Sequence, residues 1–284
     1  MTSTWDDYDG YYLPAGLPAG LPDLISGAGD SPEEGGCVMQ AAAWLASNGE
    51  QWTDAPACVH RVLRRVAINV NDSVSTATRR QLWPLIPRLL GTASGDRKAD
   101  IRTGIALAVW AAERVLPLIR DTQRHETAAG RIAKARGWLA SEREPAAADA
   151  AAAAADAAAA AAAAAYADAA DADAYADAAA YAYAAAADAY DAADAAADAA
   201  ADDAYDAAAA ADAYDAAYAA AADAADAAAS YAYAAAAADA DRQQARVGFL
   251  VDLLDEYDRV TGRAAPAQIA PERWEGLCAA LTHK

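Results

Sequence analysis

The sequence predicts an all-α protein, and three observations support this class. Between Gly36 and Pro145, apolar residues recur at spacings of three and four, as on one face of a helix. No alternating run of Val, Ile or Thr of the kind that forms strands interrupts them. Residues 146–240 then consist of 66 Ala, 18 Asp, 10 Tyr and 1 Ser, and no Gly or Pro lies between Pro145 and Gly248. Because Ala is the best helix former, this tract is also predicted to be helical.

Composition and charge divide the chain into four predicted segments. Residues 1–36 form a flexible, Gly/Pro-rich acidic arm with a net charge of −7. Residues 37–145 form a basic helical domain with a net charge of +6. Residues 146–246 form an acidic Ala-rich tract, and residues 247–284 form a C-terminal helical cap. The protein is therefore close to neutral outside the tract, which alone carries −18 over residues 146–240.

Two helices are predicted at the start of the basic domain. The first covers about residues 37–47, and the second covers about residues 56–71 with Pro56 at its start. The second helix carries one apolar stripe, which is typical of a helix that packs on a core. The stripe residues are Val59, Val62, Leu63, Val66 and Val70.

A third helix is predicted after a capping hydroxyl. Ser75 or Thr76 supplies the cap, and Pro84 and Pro87 must kink or stop the helix because proline lacks a backbone N–H. Gly91 suits the position after the last turn, where a left-handed conformation is common. The sequence therefore predicts an interrupted helical stretch rather than one long helix.

The remaining predicted helices lie on either side of the tract. Asp100 opens a fourth helix that Pro117 ends, and a fifth covers about residues 122–140. In the C-terminal cap, one amphipathic helix precedes a loop over 262–266 and a short last helix that begins at Pro271. The amphipathic helix carries Val247, Leu250, Val251, Leu254 and Tyr257 at helical spacing.

The Asp residues of the tract have a helical phase. On a heptad wheel with Ala172 at position a, eleven of the thirteen Asp between 173 and 226 fall on b, c and f. The a and d positions opposite are almost entirely Ala, and this 3.5-residue period predicts a left-handed supercoil that needs a helical partner. The tract is either a rod of roughly 140 Å, at about 1.5 Å per residue, or a bundle folded back on itself. A codon-repeat expansion that a helix merely tolerates is the alternative.

The Asp face of the tract is the candidate partner-binding site. No Lys or Arg lies between Arg143 and Arg242, and successive Asp residues lie three or four positions apart, where like charges repel. Such a face attracts a basic protein surface, and its alternative role is to keep an Ala-rich helix solvated. The candidate residues are Asp188, Asp191, Asp194, Asp198 and Asp202, with Tyr183, Tyr190 and Tyr218 beside them.

Composition excludes several classes of protein. A net charge of −20 argues against a strongly basic nucleic-acid binder, so direct nucleic-acid binding is not expected. Three Cys are too few, and odd in number, for a disulfide framework. The first residues lack the basic and apolar regions of a signal peptide, and Asp recurs too often in the tract for a transmembrane helix. A soluble, cytoplasmic protein without a membrane partner is expected.

No catalytic residue, metal site or cofactor is predicted. Cys37, Cys58 and His60 lack the four ligands and paired spacing of a structural zinc site. The sequence contains no Gly-rich phosphate loop, no Gly-x-Ser-x-Gly and no His-Glu-x-x-His motif. The sequence therefore indicates a class of partner rather than a reaction.

Two segments carry resemblances to known proteins. The segment from Ile101 to Ile119, IRTGIALAVWAAERVLPLI, followed by an Ala-rich tract, resembles the immunity protein family 5 of bacterial polymorphic toxin systems over about residues 101–240. This resemblance implies a protein that neutralises a toxin. The segment from Cys37, beginning CVMQAAAWL, to Leu90 looks like uncharacterised Ala-rich proteins of actinobacteria and their phages. The second resemblance indicates origin rather than function.

Three functional hypotheses follow. The first is a non-catalytic, acidic helical interaction protein, either an immunity-type or a nucleic-acid-mimicking inhibitor of a basic partner such as a toxin or nuclease. The second is a structural coiled-coil spacer or a rod that self-associates through the Ala seam. The third is an enzyme with an unrecognised site in residues 37–145.

Overall fold

The structure, a computed structural model, describes residues 21–118, 122–140 and 239–264. These residues form α- and 3₁₀-helices and contain no β-strand, only an isolated bridge between Leu24 and Gly36. This confirms the all-α prediction for the described part of the chain. No helix within it is long and apolar enough to cross a membrane. The predicted rod or bundle and the last helix from Pro271 lie outside the described residues.

The described α-helices are numbered in chain order. Two short 3₁₀ segments, Arg80–Leu85 and Leu116–Leu118, follow the third and fifth of them. The α-helices are α1 (Val38–Ala46), α2 (Arg61–Ser73), α3 (Thr76–Arg79), α4 (Ile86–Leu89), α5 (Arg97–Val115), α6 (Thr122–Ala140) and α7 (Asp239–Thr261).

The chain forms two compact units, which are called the first and second units below. Helix α2 contributes residues 61–66 to the second unit and residues 67–73 to the first. Of the other described residues, the first unit holds 21–59, 74–92 and Ala264, and the second holds His60, 93–118, 122–140 and 239–263.

Helix α1 lies at the centre of the first unit. It is buried continuously from Val38 to Leu45, and it packs against α4. Apart from Gln40, this short, Ala-rich helix is apolar on all sides, and such a helix must be covered on all sides. Trp44 and Trp83 are the largest side chains in this core. The first predicted helix, at about 37–47, is therefore confirmed.

Helix α2 begins five residues later than predicted. Pro56 does not start it, because the Pro56 carbonyl accepts a hydrogen bond from the Val59 N–H, 3.2 Å away, in a turn. The first helical bond runs from the Arg64 N–H to the His60 carbonyl, at 2.9 Å. The predicted stripe is nevertheless buried, including Val59 just ahead of the helix.

The interrupted stretch from α3 to α4 follows the prediction. The Ser75 hydroxyl caps α3 by accepting from the Thr78 N–H. Pro84 lies inside the 3₁₀ segment, and Pro87 lies in the first turn of α4, where a missing N–H leaves no helical bond unmade. Gly91 follows α4 with φ of +69°, the left-handed conformation expected there.

Helix α5 begins at Arg97, ahead of the predicted start at Asp100. The Asp96 carboxylate caps it by accepting from the Lys98 N–H at 2.9 Å and the Ala99 N–H at 3.3 Å. Asp100 lies in the first turn, and its carboxylate accepts from the Ser94 N–H at 3.0 Å. Both carboxylates accept from backbone N–H groups near the start of the helix. The predicted residue, Asp100, therefore lies in the correct turn, but the residue that caps the helix is Asp96.

The second unit is built around α5, which packs against both α6 and α7. Helix α6 has the predicted bounds, and α5 ends at Val115 just before Pro117. All five apolar residues predicted for the amphipathic C-terminal helix are buried in α7. Helix α5 contributes the buried residues Ile101, Ile105, Ala108 and Ala112 to the same unit.

Candidate functional site

The predicted partner-binding residues lie outside the described residues. This applies to all eight of them: Asp188, Asp191, Asp194, Asp198, Asp202, Tyr183, Tyr190 and Tyr218. The described residues contain two polar centres that the sequence did not indicate, one in each unit, and a set of paired arginines.

The first polar centre holds residues 23–36, which are called the clamped loop. Its two ends pair, since the Ile25 N–H donates to the Gly36 carbonyl and the Gly36 N–H donates to the Asp23 carbonyl, each at 3.0 Å. Leu24 is 3% exposed, and Gly35 and Gly36 are buried. Residues 23–36 of the predicted arm therefore form a loop whose ends are joined by hydrogen bonds, with the closed form of a compact surface loop.

Gln40 of α1 and Trp52 hold the middle of the clamped loop. The Gln40 amide donates to the Gly29 carbonyl at 2.7 Å, and its oxygen accepts from the N–H groups of Gly29 and Cys37 at 3.0 and 3.1 Å. The Trp52 indole N–H donates to the same Gly29 carbonyl at 2.9 Å. Gln40 thus serves both the loop and the start of α1, where the N–H of Cys37 needs a partner.

The end of α2 holds the other side of the loop. The Asn71 amide donates to the Ile25 carbonyl at 2.8 Å, and its oxygen accepts from the Val38 N–H at 3.3 Å. The Asp72 carboxylate accepts from the Gly27 N–H at 2.8 Å. Asn71 is fully buried, so its two bonds satisfy an amide group that has no access to water, whereas Asp72 and Gly27 are exposed.

Arg79 joins α2 and the loop through backbone carbonyls. Its Nε donates to the Asn71 carbonyl and its Nη2 to the Val74 carbonyl, both at 2.7 Å, and its Nη1 lies 3.5 Å from the Leu24 carbonyl. Arg79 is only 7% exposed. Arg80 differs sharply, because its side chain is 65% exposed and pairs with Asp23 at 3.3 Å.

Replacing Gly29 by alanine is expected to destabilise the first unit. An added Cβ would overlap the carbonyl oxygen of Gly35, which is backbone and cannot move aside cheaply. We expect a loss of about 1–3 kcal/mol, as for overpacking in general. Gly130→Ala is the matched control, since nothing lies within 4 Å of that position in α6 and alanine favours a helix. Thermal unfolding checks both, and equal melting temperatures for the two variants would contradict the expectation.

The second polar centre surrounds His60 in the second unit. His60 is fully buried, and its Nε2 lies 2.8 Å from the Asp100 carbonyl oxygen in the first turn of α5. Because a carbonyl only accepts, Nε2 carries the proton. The Tyr257 ring of α7 lies 5.9 Å from the imidazole at an angle of 58°. Burial lowers the pKa of His60 and raises the pKa of Tyr257, so both are neutral at neutral pH.

The thiols and carboxylates of the described residues have limited chemical capability. Burial raises the pKa of the Cys37 thiol, which opposes the thiolate that a nucleophile or metal ligand needs. Cys58 is also a free thiol and is half-buried. No group of three or more His, Cys, Asp or Glu within the described ranges could hold a metal ion.

Several arginines of the described residues are paired locally. Arg114 of α5 pairs with Asp252 of α7, and its guanidinium also lies 4.4 Å from the centre of the Trp110 ring. Arg136 pairs with Glu113 through two hydrogen bonds. The other pairs are Arg80–Asp23, Arg259–Glu256 and Arg263–Asp258. In each pair, both partners belong to the same compact unit.

Comparison with known proteins gives no match, whether against family models, curated proteins or solved structures.

Proposed function

We propose that the protein is a non-catalytic, acidic helical interaction protein that captures a basic protein partner in the cytoplasm, in the manner of an immunity protein. The observation that carries the proposal is the distribution of charge. The tract places 18 Asp within residues 146–240, and no Lys or Arg lies between Arg143 and Arg242. An acidic surface of this size raises the local concentration of basic partners and speeds their association.

The pairing of the described arginines supports an external partner. Five of them already form ion pairs with carboxylates of their own unit, and Arg79 is bound by backbone carbonyls. These six positive charges already have partners and would have to leave them before they could neutralise the tract. Positive charge supplied by another protein leaves these six contacts intact. The resemblance of residues 101–240 to immunity proteins agrees with this role.

The test replaces five Asp of the predicted face by Asn in the full chain, at positions 188, 191, 194, 198 and 202. We expect capture of a basic protein from an extract of the source organism to fall at least about tenfold, because close complementary charges contribute more than 1.4 kcal/mol in total. The captured protein, purified on its own, should also bind the unaltered chain in a salt-sensitive manner.

The matched control removes five other Asp of the tract that lie off positions b, c and f of the same heptad wheel, at positions 168, 171, 203, 206 and 239. It makes the same change in net charge at other positions along the tract. Capture should survive in the control. If both variants capture the partner normally, the Asp face is not the site, and if both lose it equally, only the total charge matters.

A second candidate function is favoured by the Ala seam. Only one of the thirteen Asp between 173 and 226, Asp203, falls on position a or d, as expected for a helix that packs on another helix. A spacer or self-associating rod would need this seam rather than the charged face. Sedimentation of the full chain at low and high salt separates the two functions, since a salt-independent dimer is expected only from the seam.

A further inference from the structure

His60 lies where three elements of the second unit meet. It immediately precedes α2, its Nε2–H donates to the Asp100 carbonyl of α5, and its ring contacts Tyr257 of α7. One buried imidazole therefore links α5 and α7, which pack on each other. It has no exposed surface, so protonation would place a charge inside this core.

The charged and titratable groups around His60 come from each of these elements. The Asp100 charge on α5 favours a protonated imidazole, and the Arg61 charge on α2 opposes it. On the α7 side, the Arg263 guanidinium lies 5.9 Å from the centre of the Tyr257 ring and pairs with Asp258 at 3.9 Å. Burial outweighs the Asp100 charge and lowers the pKa of His60, so the neutral form belongs to the packed state.

We propose that His60 is a pH-sensitive latch, which holds α7 against α5 when it is neutral and releases α7 when it is protonated under mildly acidic conditions. Protonation adds a desolvated positive charge beside the Tyr257 ring and turns Nδ1 into a second N–H donor inside the core. The Nε2–H bond to the Asp100 carbonyl of α5 is available in both forms, so we expect the burial cost of the charge to weaken the packing against α7. This regulation does not depend on what the tract binds.

The direction of the pH dependence follows from linkage. The unfolded imidazole titrates near its ordinary pKa of about 6.5, and the packed one titrates below it. The stabilisation by neutral His60 is therefore complete above about pH 6.5 and is lost as the pH falls towards the lowered pKa. Each unit by which the pKa is lowered corresponds to about a tenfold change in the opening equilibrium.

Hydrogen exchange of the full chain at pH 7.5 and 5.5, corrected for the intrinsic effect of pH, tests the latch. We expect the amides of residues 247–257 in α7 to lose protection by at least about threefold at the lower pH, relative to those of α1 in the first unit. His60→Gln keeps an N–H donor for the Asp100 carbonyl and cannot be protonated, so its α7 should show no such loss.

His125→Gln is the matched control, because it removes a half-exposed histidine of α6 and should leave the response intact. An unchanged response in His60→Gln, or no response in the unaltered chain, overturns the latch. If His60→Gln does not fold, NMR titration of the three histidine rings of the unaltered chain decides. The proposal requires that the pKa of His60 lies below its ordinary value and that α7 loses protection over the same pH range. An ordinary pKa with α7 still protected overturns the proposal.

Discussion

Replacing Arg79 by alanine is expected to lower the free energy of unfolding of the first unit by about 3 kcal/mol or more. The substitution removes two 2.7 Å hydrogen bonds that the charged guanidinium donates. The backbone carbonyls of Asn71 and Val74 then lose this donor. Hydrogen bonds to charged groups contribute about 1.5–3 kcal/mol each, and a buried carbonyl without a partner is unfavourable in addition. The clamped loop should loosen in the same step, because Asn71 also holds Ile25.

The neighbouring residue provides the control. Arg80→Ala removes the same charge one position along the chain, from a side chain that is 65% exposed and pairs with an exposed Asp23. We expect it to change stability by less than about 1 kcal/mol. Urea unfolding measures the free energy of unfolding of the two variants. Hydrogen exchange of the amides of residues 21–46 then shows which variant loosens the clamped loop. Equal losses for both would mean that Arg79 acts through charge alone and not through its backbone contacts.

The helices could be predicted because their apolar residues recur with the period of a helix. The stripes of α2 and α7 are buried as predicted, and α6 has the predicted bounds. The starts of α2 and α5 were misplaced because Pro56 and Asp100 are each compatible with a helix start, and a nearby turn or a better cap decided the outcome. Such choices depend on a few hydrogen bonds and leave no periodic signal.

The polar centres left only a faint signal in the sequence. Asn71 follows Val70 at the end of an apolar stripe, and Gln40 interrupts the otherwise apolar α1. A polar residue at such a position indicates a buried hydrogen bond, but the partners of Asn71 lie far away in the chain, 33 positions for Val38 and 46 positions for Ile25. Arg79 and Arg80 look alike in the sequence, and only the fold separates a buried residue from an exposed one.

Replacing Leu250 by alanine is expected to destabilise the second unit by about 2–5 kcal/mol. Leu250 is completely buried in α7, and its neighbour Phe249 contacts Trp110 of α5 at a ring distance of 5.5 Å. Removing the side chain loses the free energy of its transfer from water to the core. It also leaves a cavity, which closely packed helices fill only in part. Protection of α7 and α5 against hydrogen exchange should fall together, because α5 packs on α7.

Gln244→Ala is the control for this prediction, since Gln244 lies on the exposed side of the same helix and alanine favours a helix slightly more. It should leave the free energy of unfolding unchanged within about 0.5 kcal/mol. The comparison also separates packing from the pH latch. Leu250→Ala should weaken α7 by a similar factor at pH 7.5 and 5.5, whereas His60 acts only as the pH falls. A Leu250→Ala variant that loses stability only under acidic conditions would show that α7 is held by charge and not by its apolar stripe.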